Sequence, residues 1–132
     1  MSIEERREIR VDGLAEPLSH YTDVVVHGGF AFVSGCLAVD ARGQLVGDGD
    51  VVEQTRQSLE NLGLALRAVG CSFGDVLKVT VYLTDIDDRA RINPVRQEFF
   101  GAFLPASTLV QVVALAVPGA AVEIEAVAAV PS

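Results

Sequence analysis

The sequence predicts a two-layer α+β domain, one sheet with two helices on one of its faces. Three observations carry this. Several short runs alternate apolar and polar residues with the period of a strand. Two stretches carry helical spacing together with start and stop residues. The order strands, helix, strand, helix, strands lets both helices cover the same side of one sheet. The chain has 132 residues, which suits a single domain spanning 1–132. Half of those residues are apolar. That is more than a lone domain of this size needs and points to a further buried surface between copies.

Residues 7–11 are read as a short first strand. Residues 23–27 and 30–34 flank Gly28-Gly29 and read as a hairpin. Asp40-Ala41-Arg42-Gly43 and Gly47-Asp48-Gly49-Asp50 are turn chemistry, so this stretch is a loop. A helix follows, with Asp50 as cap and Glu53 placed for a capping box. Val52, Thr55, Leu59, Leu62, Leu66 and Val69 share its inner face, and Gly70 ends it. Residues 76–83 alternate as a strand, with Leu77, Val79, Val81 and Leu83 on the apolar face. Asn93 is read as the cap of a second helix with Pro94 as its first residue, sending Val95, Phe99, Phe100 and Phe103 to the core. Strands at 107–113 and 122–129 follow, with a Pro118-Gly119 turn between them.

Composition narrows the function classes. The net charge of −8 makes nucleic acid a poor partner. Two cysteines, Cys36 and Cys71, and two histidines, His20 and His27, give no metal spacing and no disulfide framework. The charged opening MSIEERREIR does not read as a signal peptide, and no apolar run is long enough to span a bilayer, so a cytoplasmic protein without membrane contact is expected.

Glu123 is the strongest acid–base candidate. Glu123 and Glu125 lie two apart on the last strand, on the face away from Val122, Ile124 and Ala126. A carboxylate inside an apolar run is costly to bury unless it shares a proton, and burial moves its pKa toward neutrality. The plainer alternative pairs both glutamates with Lys78 across strands. Likewise the half-polar face is either wet, as in many antiparallel sheets, or packed against copies of itself. Cys36 reads as a small core residue before a nucleophile.

Several stretches together resemble the Rid (YjgF, reactive intermediate deaminase) family. They are Tyr21, Phe32-Val33-Ser34-Gly35, the run from Gln54 to Asn61, the run from Asp75 to Leu83, Asn93 with Phe99-Phe100, and Pro105-Ala106 followed by Val122-Glu123-Ile124-Glu125-Ala126. The resemblance covers almost the whole chain. It implies a chorismate-mutase-like fold with a mixed sheet, and a homotrimer with clefts between subunits. It further implies hydrolysis of reactive enamines or imines, such as 2-aminoacrylate and its imine tautomer, to a keto acid and ammonia, with no metal or organic cofactor. Matched to the family, Glu123 positions the attacking water. Tyr21, Ser34, Gly35 and Asn93 line the substrate cleft, and backbone groups around Ser107, Thr108 and Leu109 orient the substrate.

Two departures stand out. Deaminating members carry an arginine directly after Pro-Ala, where it grips the substrate carboxylate; here Ser107 follows Pro105-Ala106. Losing a charge-assisted hydrogen bond costs ~1.5–3 kcal/mol, roughly 10- to 150-fold in affinity. The usual 2-imino acids are therefore expected to be poor substrates unless Arg89, Arg91 or Arg96 compensates. Cys36 stands where the family usually has glutamine. The functional alternative is a small-molecule-binding or protective trimer without turnover.

Overall fold

In a computed structural model the chain is described from residue 5 to residue 132. The charged opening stretch read for targeting begins in residues 1–4, outside the described residues. Among the described residues six strands form one sheet: β1 (Arg7–Ile9), β2 (Val24–His27), β3 (Phe30–Leu37), β4 (Val76–Leu83), β5 (Ala106–Gln111) and β6 (Val122–Ala129). Their order is β1-β2-β3-β6-β4-β5. Only β4 and β5 run parallel, so the sheet is mixed as expected. Two helices, α1 (Val51–Ala68) and α2 (Arg89–Phe100), share one core with it.

Local chemistry explains most boundaries. Gly28 and Gly29 both adopt positive φ, which lets β2 and β3 fold back through two residues. The Asp50 carboxylate accepts from the Val52 and Glu53 N–H groups at 3.1 Å each, holding the start of α1. The expected capping box is only half made, because Glu53 turns to Arg56 at 3.7 Å. Gly70, at φ +77°, ends the helix, and the Cys71 N–H closes the last turn on the Leu66 carbonyl at 2.9 Å.

The core lies between the helices and one sheet face. Leu59, Leu62 and Leu66 of α1 and Ile92 and Val95 of α2 meet Val24, Ala31, Val79, Val81, Ile124 and Ala128. Gln54 is fully buried on the same helix face. Its amide donates to the Gly47 and Gly119 carbonyls at 3.1 Å each and accepts from the Ala121 N–H at 2.8 Å, pinning two loops to α1.

Four expectations are corrected. A bulge between Val76 and Lys78 turns Val76 inward and leaves Leu77 48% exposed, so Leu77 is not on the apolar face. The second helix starts four residues before Asn93, after a 3-10 turn at Ile86–Asp88, and Pro94 lies inside it. Asn93 is therefore a helix-surface residue and not a cap. Asn-Pro resembles a start signal locally, but burial of Ile92 draws the preceding turn into the helix. Phe103 lies past the helix end and is 59% exposed, with its ring against Gly74. The strand expected at 107–113 is shorter, ending at Gln111, while the last strand has the bounds read from its alternation.

Candidate functional site

The residues singled out from sequence fall into two groups. The first sits where β3 breaks its register. Between Val33 and Cys36 the strand bulges, so Ser34 and Gly35 together face Glu125 of β6. The Ser34 hydroxyl donates to the Thr22 carbonyl at 2.7 Å. The Tyr21 hydroxyl accepts from the Leu18 N–H at 3.2 Å, which folds the strap before β2 over this point. Tyr21, Ser34 and Gly35 line one hollow of about 70 Å³, together with Asp23, Cys36 and Asn61.

Asp23 and Asn61 were not foreseen. Asp23 is buried, accepts from the Val11 N–H at 2.8 Å and pairs with Arg10. Asn61 donates to the Leu37 and Val39 carbonyls at 3.0 and 2.9 Å, so α1 fixes the end of β3. Its place among apolar residues on the inner helix face was the one available signal.

Glu123 meets this group from β6. Its carboxylate occupies the space a side chain at residue 35 would need: a Cβ built there falls 2.4 Å from Oε2. Gly35 thus lets the acid approach the bulged backbone. The alternative pairing with Lys78 is not formed. Lys78 donates to the Thr108 hydroxyl at 2.6 Å, and the Tyr82 hydroxyl donates to Glu125 at 3.0 Å. Among the described residues Glu123 has no ion-pair or hydrogen-bond partner for its carboxylate. Burial, and then the charge of Glu125, hold its pKa above the ordinary carboxylate value. Cys36 is a core residue: burial first, then Glu123 and Asp23, push its thiol up to about 12, so it stays neutral and unreactive. His20 and His27 are exposed. Among the described residues no cluster of His, Cys, Asp or Glu could hold a metal, and no helix is long and apolar enough to cross a membrane.

The second group lies at the other side of the sheet. Asn93 and Arg96 of α2 line a hollow of about 180 Å³ with Phe103 and Leu104, next to the start of β5. The Arg96 guanidinium donates to the Ser107 hydroxyl at 2.9 Å. Of the three candidate arginines only this one reaches Ser107. Arg91 is tied to Asp88 at 3.0 Å, and Arg89 is exposed at the helix start. Ser107, Thr108 and Leu109 do not act from one side. Ser107 is level with inward-facing Val79, Thr108 joins Lys78, and Leu109 packs on the core. Two strands, β6 and β4, separate β3 from β5. At about 4.8 Å per strand, the two groups are roughly 14 Å apart within one chain.

A six-stranded mixed sheet backed by two helices, with an unpaired acid at a strand bulge, places the chain in the α+β class expected from its element order. Residues 13–130 match the family model described as Endoribonuclease L-PSP. A RutC family protein of Pyrococcus horikoshii is 39% identical over 120 residues, covering 91% of this chain and 94% of that protein. A 2-iminobutanoate/2-iminopropanoate deaminase of Capra hircus is 41% identical over 124 residues, covering 93% of this chain and 89% of its own length. Among solved structures, E. coli TdcF with bound serine superposes with a TM-score of 0.85 at 35% identity, covering 93% and 98% of the two chains. The chain belongs to this Rid/YjgF family, the L-PSP group.

Proposed function

We propose that the chain is a cofactor-independent hydrolase of small reactive imines or enamines, working as a homotrimer whose sites are completed between subunits. The observation that carries the reading is Glu123: a half-buried carboxylate with raised pKa and, among the described residues, no partner, set against the Gly35 bulge. The deaminases among its relatives supply the reaction class.

In this reaction water adds to the C=N carbon. Glu123 takes one proton from the water as the C–O bond forms and passes it to the nitrogen. Glu123 then carries the carbinolamine hydroxyl proton to the amino nitrogen as the C–N bond breaks, so the C=O forms and the nitrogen leaves as ammonia. An acid with a raised pKa suits both transfers, because it is neither too weak a base nor too weak an acid near neutral pH. Tyr21, Ser34 and Gly35 are assigned to the wall around the reacting carbon. Asn93 and Ser107, with Thr108 and Leu109 behind them, are assigned to the far end of the substrate.

The same geometry supports the assembly. The roughly 14 Å between the two groups is too far for one small substrate. The uncovered sheet face exposes Phe30, Phe32 and Val110 at 38–48%, and β5 is an open edge. Packing this face against copies of itself would bury these side chains and bring the β5 edge of one subunit toward the β3 bulge of the next. Ser107 takes the place of the arginine that grips a carboxylate in deaminating members, so the finer specificity differs from theirs.

The test is hydrolysis of imines generated in solution by an amino-acid oxidase or an amine oxidase and trapped with semicarbazide. Purified protein should outcompete trapping, and Glu123→Ala should lose that effect while remaining trimeric by light scattering. No acceleration over buffer on any imine would leave a binding or protective trimer in its place.

A further inference from the structure

Glu123 and Glu125 stand two apart on one side of β6, so their Cα atoms are about 7 Å apart. Two long carboxylate side chains at that spacing ordinarily swing apart. Glu125 is not free to do so, because the Tyr82 hydroxyl donates to it at 3.0 Å. In the ladder Tyr82 lies opposite Glu123, and Thr80 lies opposite Glu125. The tyrosine therefore starts beside Glu123 and reaches diagonally to Glu125. Directly opposed residues have Cβ atoms about 5 Å apart, so the tyrosine also flanks the acid. Among the described residues neither glutamate has a cationic partner. Lys78, the cation on this face of β4, turns to Thr108 of β5 at 2.6 Å. From β3 the bulge presents uncharged Ser34 and Gly35, and Cys36, whose thiol stays neutral. Asp23 is paired with Arg10. After burial, the charge of Glu125 is what holds the Glu123 pKa above the ordinary carboxylate value.

We propose that Tyr82 and Glu125 are positioning residues for Glu123: the tyrosine hydroxyl fastens a second carboxylate beside the water-handling one, so that Glu123 can hold a proton as well as take one. This rests on the imine-hydrolysing reading above and names what adjusts its acid. The charge of Glu125 disfavours a second charge on Glu123. Without the tyrosine hydroxyl Glu125 turns away, and its influence falls with distance. An acid freed of that neighbouring charge ionises more readily and is the weaker base toward water. Neither Tyr82 nor Glu125 is asked to touch the substrate.

The experiment uses the full-length protein and two readouts. One is the pH profile of kcat/KM on imines generated and trapped as above. The other is the carboxyl-carbon NMR resonance of Glu123 in protein labelled at glutamate, identified by its absence from Glu123→Gln and followed through a pH titration. Glu125→Gln keeps an oxygen that can accept from Tyr82 and removes only the charge. Its rate limb and its Glu123 titration should both move to lower pH. On the acid side of the limb it should therefore hydrolyse faster than wild type, whereas damage to the fold slows the reaction at every pH. Tyr82→Phe keeps the ring and removes the donor. It should move both readouts the same way by a smaller amount, and add nothing in the Glu125→Gln background. An unmoved limb and titration in Glu125→Gln, with hydrolysis intact, overturn the pair and leave the reaction standing. A shift in Glu125→Gln with none in Tyr82→Phe overturns the clamp. Titrations that move as expected, in a wild type that hydrolyses no imine, uphold the pair and overturn the reaction.

Discussion

Replacing Gly35 by alanine tests whether the position of Glu123, and not only its presence, matters. The new methyl would lie 2.4 Å from the carboxylate oxygen, 2.7 Å from its carbon and 2.9 Å from Cγ. Ordinary contact between such atoms is about 3.5 Å, so the carboxylate must retreat by roughly 1 Å. Gly35 does not have positive φ, so alanine is not strained there. Restricting the unfolded chain gives back about 0.4–1 kcal/mol. Glu123 is only half-buried and can swing outward, so overall stability should change by less than about 1 kcal/mol. Catalysis should suffer far more, because a misplacement of about 1 Å costs on the order of 100-fold. The assay is imine hydrolysis against semicarbazide trapping, with melting temperature and light scattering as controls. Glu123→Ala and the double variant complete a cycle in which the two losses must not add, since both act through one carboxylate. A Gly35→Ala protein with wild-type kcat/KM, or losses that add fully, would refute the reasoning.

Four further outcomes are expected. The kcat/KM profile should rise with pH through a group above the ordinary carboxylate range, and Glu123→Gln should abolish that limb. Because burial raises the folded pKa of Glu123, the folded state holds its proton more tightly than the unfolded chain, so stability falls as pH rises between the two values. Glu123→Gln should therefore melt higher than wild type near pH 8, with the difference shrinking below about pH 4; equal melting at both would remove the burial argument. Gln54→Leu should cost about 2–5 kcal/mol in chemical denaturation, because three partly buried backbone groups lose their partner, and a loss under about 1 kcal/mol contradicts the pinning role. Light scattering should give three times the 14.0 kDa chain mass, and Phe32→Glu on the uncovered face should dissociate it; a wild-type monomer excludes a site shared between subunits.

Spacing and capping are local properties, and they were legible. The alternation of Val122 to Ala129 sets the bounds of β6 and puts Glu123 and Glu125 on the face away from the helices. Asp50 marks the start of α1 and Gly70 its end because both act on N–H and C=O groups within a turn of themselves. What pairs with what across the sheet was decided only by tertiary packing. The bulges that expose Leu77 and bring Gly35 under Glu123 are register shifts, and a register exists only once two strands have met. The contact between Arg96 and Ser107 likewise joins a helix to an edge strand 11 residues on. Sequence could name three arginines near Asn93; only the packing of α2 on the core selects the one that reaches Ser107, because a helix's rotation is fixed by which of its side chains are buried.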